Sequence, residues 1–371
     1  MRSLDLRHRI AAVVLAVLLV LAACVPLMRG VPTGGALPGT LSSPGSLQVL
    51  AVALCVAALA TTYDLLLGYT GLFSLGHALF FATGSYGFAM TLALTDAGFG
   101  VSVLVGLGVT LVMAVLVNAV ALRTTAIAYS MVTLAIAQLA SIVVGRNYWG
   151  TGGEEGITLP FEKLPSGFHG VVNTRNVYWT ALALFVVVVT VVALLTRTRV
   201  GRLWQAIREN ELRVSVMGVD VYLHKLGVAV ISSLLAGACG IVYCIVLGTA
   251  EPSVTTLFFS LGLVVMVILG GKGRVWGAAL GGVLYVLLEQ RLPSLASSES
   301  VQGLPAWLRI PLSEPELLLG VVFVLFIFFV PGGLASLIVR LFERPKTRPV
   351  PRSATASTAS REPVAGGERS R

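Results

Sequence analysis

Apolar runs of membrane-crossing length follow one another almost from end to end of this chain, and that succession leaves few folds open. A helix needs roughly 20 predominantly apolar residues to cross the hydrocarbon layer. Ten stretches meet or approach that need: 10–28, 47–67, 72–95, 101–122, 124–144, 177–196, 226–249, 257–271, 275–290 and 316–339. Only 12% of the 371 residues are charged. That is too few to cover a water-exposed surface, since soluble proteins carry about 25%. The expected fold is an all-α, polytopic membrane protein with about ten transmembrane helices, within a range of eight to ten. The two short runs 257–271 and 275–290 are either thin spans or a re-entrant hairpin, and removing the pair leaves the parity unchanged.

Orientation follows from where lysine and arginine fall, because cytoplasmic loops are enriched in them. With both termini in the cytoplasm, 20 of the 26 basic residues lie on the inside and six on the outside. The net charge of +9 therefore records sidedness and needs no nucleic-acid partner. The division is a transmembrane body, 1–344, and a basic cytoplasmic tail, 345–371, whose Pro/Ser/Thr/Arg composition predicts disorder. The loop 197–225 lies inside; the loops 146–176 and 291–315 lie outside, the second carrying four prolines. The first run has a competing reading, a lipoprotein signal modified at Cys24, although its apolar character continues to Met28. Cys24, Cys55, Cys239 and Cys244 all lie in apolar runs and read as small hydrophobic fillers.

Residues 63–77 interrupt two apolar runs with glycines and polar groups. Gly68, Tyr69, Gly71, Ser74, Gly76 and His77 fit a broken helix, which in transporters lines a substrate path because irregular backbone at that depth needs polar partners or water. An ordinary turn with a hydrogen-bonded interior His77 is equally open. Gly84, Gly87, Gly277 and Gly281 are small residues at spacings that let helices approach closely. Asp64, Glu289 and Glu316 sit at or near span ends, where acidic side chains are expected to reach the interface. Deeply buried acids typical of ion-coupled carriers are not expected.

The inner loop 197–225 is too polar to span, but Leu203, Ile207, Val214 and Met217 recur near helical spacing beside Arg208, Glu209 and Glu211. It predicts a short amphipathic cytoplasmic helix ending near Gly218 that docks into a partner's groove or lies on the bilayer. Neither a His-x-x-x-His nor a Gly-x-Ser-x-Gly pattern occurs, and no metal or cofactor is expected. The Gly270-Gly-Lys-Gly273 run lacks the first glycine and the final Ser/Thr of a phosphate loop, so ATP hydrolysis by this chain is not expected.

Taken together, four segments in this order resemble the membrane permeases of bacterial ABC importers for branched-chain amino acids, and more closely their M-type subunit. They are Gly68–Ala78, Thr151–Thr158, the stretch from Gly201 through Glu211 with Met217-Gly218-Val219, and Val267–Gly273 followed by Gly277 and Gly281. The likeness covers about 45–290. It departs at Leu212–Val216, which lacks the family's alanine-rich and acidic residues.

The resemblance implies a multi-pass subunit of the bacterial plasma membrane that is not itself an enzyme. Its implied partners are a second permease, two ATPase subunits, a periplasmic or lipid-anchored substrate-binding protein and membrane lipids. It implies ATPase coupling at Arg208, Glu209, Asn210, Glu211 and Gly218. It assigns pathway lining to Gly68, Tyr69, Gly71, Ser74, Gly76 and His77. Binding-protein contact falls to Gly152, Gly153, Glu154, Glu155 and Gly156. The implied cargo is a branched-chain or related amino acid, with urea or short amides as the alternative. Outside this family, the competing reading is a self-sufficient secondary transporter or channel.

Overall fold

The computed structural model describes residues 24–27, 40, 42–168, 173–296, 314–330 and 332–342. Most of the first apolar run, the middle of the proline-rich loop and the basic tail fall outside the described residues. The chain folds as α1 (Pro44–Asp64), a π-helical turn (Leu65–Thr70), α2 (His77–Leu94), α3 (Phe99–Ala121) and α4 (Ala126–Gly145). After strand β1 (Ile157–Thr158) come α5 (Thr174–Arg197), α6 (Arg199–Glu209), α7 (Glu211–Val216) and α8 (Val221–Leu247). Strand β2 (Thr249–Ala250) then leads to α9 (Leu257–Gly270), α10 (Val275–Ala296), α11 (Pro315–Phe329) and α12 (Gly333–Phe342).

Helix starts follow local capping chemistry. The Ser43 side chain accepts from the Ser46 N–H ahead of Pro44, which suits the first helical position because its missing N–H is not needed there. Asp220 and Thr256 cap α8 and α9 in the same way, accepting from Leu223 N and Phe259 N. Six helical segments are long and apolar enough to cross a membrane: Pro44–Thr70, Phe99–Ala121, Ile127–Gly145, Thr174–Arg197, Val221–Leu247 and Leu317–Ile338. By contrast, α2 and α10 are diluted by glycine and polar residues, which fits their place inside the protein. The first packs between α3 and α8, the second between α1 and α9. The predicted small-residue packing appears here: a Cβ on Gly84 would overlap the Gly237 backbone, and one on Gly281 would overlap the Met266 carbonyl.

Two ends can be distinguished from contacts alone. At one, β1 pairs antiparallel with β2 through Ile157↔Ala250 and Thr158↔Thr249, and Lys163 Nζ donates to the Thr95 carbonyl at 2.8 Å. At the other, the π-helical turn meets α6 and the 271–274 turn, and the Tyr222 hydroxyl donates to the Ala119 carbonyl at 2.9 Å. The basic segments around Arg123, 197–225 and 272–274 all gather at this second end, the grouping that the charge pattern predicts.

One expectation needs correction. The loop 197–225 holds two helices, because Asn210 ends α6 and its side chain caps α7 by accepting from Arg213 N at 2.9 Å. The last apolar run keeps the length and apolarity of a span, Leu317–Ile338, and holds two helical segments, α11 to Phe329 and α12 from Gly333. Between β2 and the 271–274 turn runs α9, and α10 leads back from that turn against it, with Gly281 at the Met266 carbonyl and Gly262 beside Tyr285. At 14 residues α9 is about 21 Å long, which explains why it reads as thin.

Candidate functional site

Where α1 ends, its backbone changes from α- to π-helical over Leu65–Thr70 and stops at Gly71, whose φ of 74° is a left-handed angle that favours glycine. Single π-helical turns mark local insertion strain and concentrate at functional sites. Leaving the helix here strips the last carbonyls of intrahelical donors. The Leu66 carbonyl is satisfied by Leu72 N at 3.0 Å and the Thr70 hydroxyl at 2.6 Å. The Gly68 carbonyl is satisfied from outside: Arg208 Nη1, on α6, donates to it. A cation at a helix C-terminus also meets the negative end of the helix dipole. The methylene stem of Arg208 lies against Gly71, where a Cβ would be 3.1 Å from its Cγ.

The third party is the turn before α10. Asp64 Oδ1 accepts from Gly273 N at 2.7 Å, across 209 residues of sequence. That places a carboxylate at the positive end of α10, where anions are stabilised. Asp64 is 0% exposed, so it does not reach the interface as its position near a span end suggests. Gly68 has no room for a side chain, since a Cβ would overlap Asp64 Oδ1 and Gly273 N. Three of the four sequence segments singled out above thus converge on one junction: Gly68 and Gly71, Arg208, and Gly273 with its anchor Asp64.

The other pathway candidates lie just inside this junction. His77 is buried, with Nε2 3.0 Å from the Thr62 hydroxyl and its ring against Tyr63 and Phe80. The Tyr63 hydroxyl donates to the Ser74 carbonyl at 2.9 Å, and the Ser74 hydroxyl accepts from Gly76 N at 3.3 Å. Gly76 abuts Thr133 on α4, whose hydroxyl accepts from Leu75 N at 3.3 Å. Tyr69 is half-buried against the core. A buried polar layer continues through Tyr129, whose hydroxyl donates to Asn118 Oδ1 at 3.0 Å.

On the surface of this end, α6 is pinned by Trp204 and Ile207, and Ile207, Val214 and Val221 form a small apolar cluster of their own. Glu209, Asn210, Glu211 and Gly218 are exposed. Glu211 is paired with Lys225 at 2.5 Å. Leu212, Val216 and Met217 are 75%, 81% and 66% exposed, an outward apolar patch on a helix too polar and short to span. Sequence spacing put Met217 on one apolar face with Ile207 and Val214; those two are buried while Met217 faces out, because the break at Asn210 resets the helix phase.

The second cluster, at the opposite end, is built by backbone. Gly152, Gly153 and Gly156 have φ of 77°, 60° and 73°. Gly152 N donates to Asn147 Oδ1 at 2.9 Å, Leu159 N to the Gly248 carbonyl at 2.9 Å, and Glu154 and Glu155 project outward, exposed. The two predicted clusters are therefore separated by the length of the helices. Asp64, Leu212 and Val216 are site residues that sequence reading missed.

These features define a class: a multi-pass helical membrane protein with a broken first described helix tied to an amphipathic helix pair strapped across one end. The family described as branched-chain amino acid transport system, permease component, matches residues 45–330, well over half of the chain, and the chain belongs to it. It is similar to the high-affinity branched-chain amino acid transport system permease protein LivM of Salmonella typhimurium, 28% identical over 66% of this chain and 63% of that protein. The LivM protein of Escherichia coli K12 is 26% identical over the same shares. The probable LivM of Methanocaldococcus jannaschii is 27% identical over 54% of this chain and 57% of that one. The chain thus spans less than two thirds of the length of the relatives it matches. No solved structure matches it.

Proposed function

We propose that this chain is the permease subunit of a bacterial ABC importer, with its basic end in the cytoplasm and ten crossings that include the first apolar run. The observation that carries the proposal is the pair α6–α7. Its inner face is anchored by Trp204 and Ile207, and its outer face offers Leu212, Val216 and Met217 among Glu209, Glu211 and Arg213. An exposed apolar patch rimmed by charge is how a helix enters a partner's groove. Separate ATPase subunits dock there through Arg208, Glu209, Asn210, Glu211 and Gly218, and a second permease completes the pathway. Residues Gly68, Tyr69, Gly71, Ser74, Gly76 and His77 line the route at the broken end of α1.

The loop at Gly152, Gly153, Glu154, Glu155 and Gly156, which exposes the two glutamates, receives a substrate-binding protein outside. The cargo is a branched-chain or related amino acid, in keeping with the relatives named as branched-chain amino acid permeases. The competing reading, a self-sufficient carrier or channel, has less support, because it gives no use to an outward apolar patch beyond the spans. Purification in gentle detergent tests the proposal: an ATPase and a second permease should accompany the chain. Recovery of the chain alone, still active in flux driven by an ion gradient, would overturn it.

A further inference from the structure

Two buried side-chain atoms on the segments that meet at the junction lack side-chain partners. Asp64 Oδ2 has no side-chain partner although its residue is fully buried and its carboxylate faces the backbone N–H groups of Gly273 and Arg274, and Arg274 Nη1 has none either. Leaving such groups without a full set of partners is costly, so each calls for an explanation. Arg208 is the group able to make that change. It is exposed, sits on the surface helix α6, and holds the Gly68 carbonyl. Gly273, whose N–H is held by Asp64 Oδ1, lies between the two: a Cβ there would be 3.4 Å from Arg208 Nη1 and 3.3 Å from the Gly68 carbonyl.

We infer that Asp64 is a positioning residue for transport, the fixed half of a latch in which Arg208 exchanges the Gly68 carbonyl for Asp64 Oδ2 as α6 moves. In the arrangement described here Arg208 caps the broken end of α1. In the second, its charge settles on the carboxylate, the Gly68 carbonyl is released, and the π-helical turn is free to shift against the 271–274 turn. The latch converts a displacement of α6 into a change at the two backbone segments that flank it, the 271–274 turn and the π-helical last turn of the span Pro44–Thr70. It rests on the reading of α6 as the segment that the ATPase moves.

The test uses the full assembly with its ATPase, second permease and binding protein in proteoliposomes, and reads substrate molecules imported per ATP hydrolysed. A merely structural loss lowers import and hydrolysis together and leaves that ratio unchanged. Asp64→Asn and Arg208→Met should each lower the ratio by roughly ten-fold, the scale of one hydrogen bond to a charged group, and the double variant should be no worse than either single one. A ratio unchanged in either single variant, or losses that multiply in the double, would overturn the latch. Should Asp64→Asn fail to assemble, hydrogen exchange of the isolated chain decides. Arg208→Met should raise exchange across 65–72 by about ten-fold, and unchanged protection there refutes the inference. That second measurement needs no partner, so it separates failure of the latch from failure of the importer reading.

Discussion

Replacing Gly68 with alanine is the sharpest mechanical probe of the junction. Inside an ordinary helix the change gains up to about 1 kcal/mol from backbone entropy. At Gly68 the added Cβ has nowhere to go. It would lie 2.7 Å from Asp64 Cγ and closer still to Asp64 Oδ1 and Gly273 N, all held by packing or hydrogen bonding. Overpacking of a rigid site costs about 1–3 kcal/mol. Displacing the carboxylate from Gly273 N forfeits a charged hydrogen bond of about 1.5–3 kcal/mol. Set against the helix gain, the net loss is about 1.5–5 kcal/mol.

Controls come from the same chain. At Gly108 in α3 and Gly227 in α8 an added methyl group would meet nothing within 4 Å, so alanine there should be neutral or slightly stabilising. Cys55, Cys239 and Cys244 are all 0% exposed and report unfolding through a thiol-reactive dye during a thermal ramp. Gly68→Ala should melt several degrees below the parent, at a matched scan rate because the unfolding of such proteins is commonly irreversible. Melting of Gly68→Ala within a degree of Gly108→Ala would refute the close approach of α1 to the 271–274 turn.

Other outcomes follow from the same geometry. Leu212→Asp with Val216→Asp removes only exposed apolar surface, so the thermal midpoint should stay put while ATPase affinity, read by pull-down titration, falls at least about ten-fold; unchanged affinity would remove α7 from the contact. Trp204→Ala empties the anchor of α6 at a cost of about 3–5 kcal/mol; proteolysis should then cut near 197–210, and a protease-resistant segment would argue against that anchoring. Gly156→Ala strains a backbone held at φ 73° and drives a Cβ into the Ala250 carbonyl, parting β1 from β2. Uptake stimulated by the binding protein should drop while ATPase subunits still co-purify, and full stimulation would free this loop of the role proposed for it.

Much of this was legible in the sequence, for identifiable reasons. Span positions follow from apolar length, a cumulative signal that no single residue can spoil, and each of the six described membrane-length helical segments overlaps a predicted run. The glycines at 84 and 281 show as small residues at helical spacing. The break at Asn210 is a local signal too, an N-cap type between two glutamates, but helical periodicity through Met217 masks it. The junction is different in kind. Nothing near Asp64 marks it as buried, because its partner Gly273 is 209 residues away and offers only a backbone N–H. A backbone donor has no side-chain signature. An outward apolar face on a docking helix was legible, with Met217 in it, but Leu212 and Val216 were not, because a single helical phase through Asn210 puts Ile207 and Val214 on that face instead.

The central claim is that this chain moves cargo only when separate ATPase subunits act on it. ATP-dependent uptake of leucine, isoleucine and valine into proteoliposomes tests it most directly, comparing the chain alone with the chain plus second permease, ATPase subunits and binding protein. Uptake that requires ATP and every partner, and that disappears when the binding protein is omitted, is the predicted result. Gradient-driven flux of the same cargo through the chain alone, indifferent to ATP, would contradict the account.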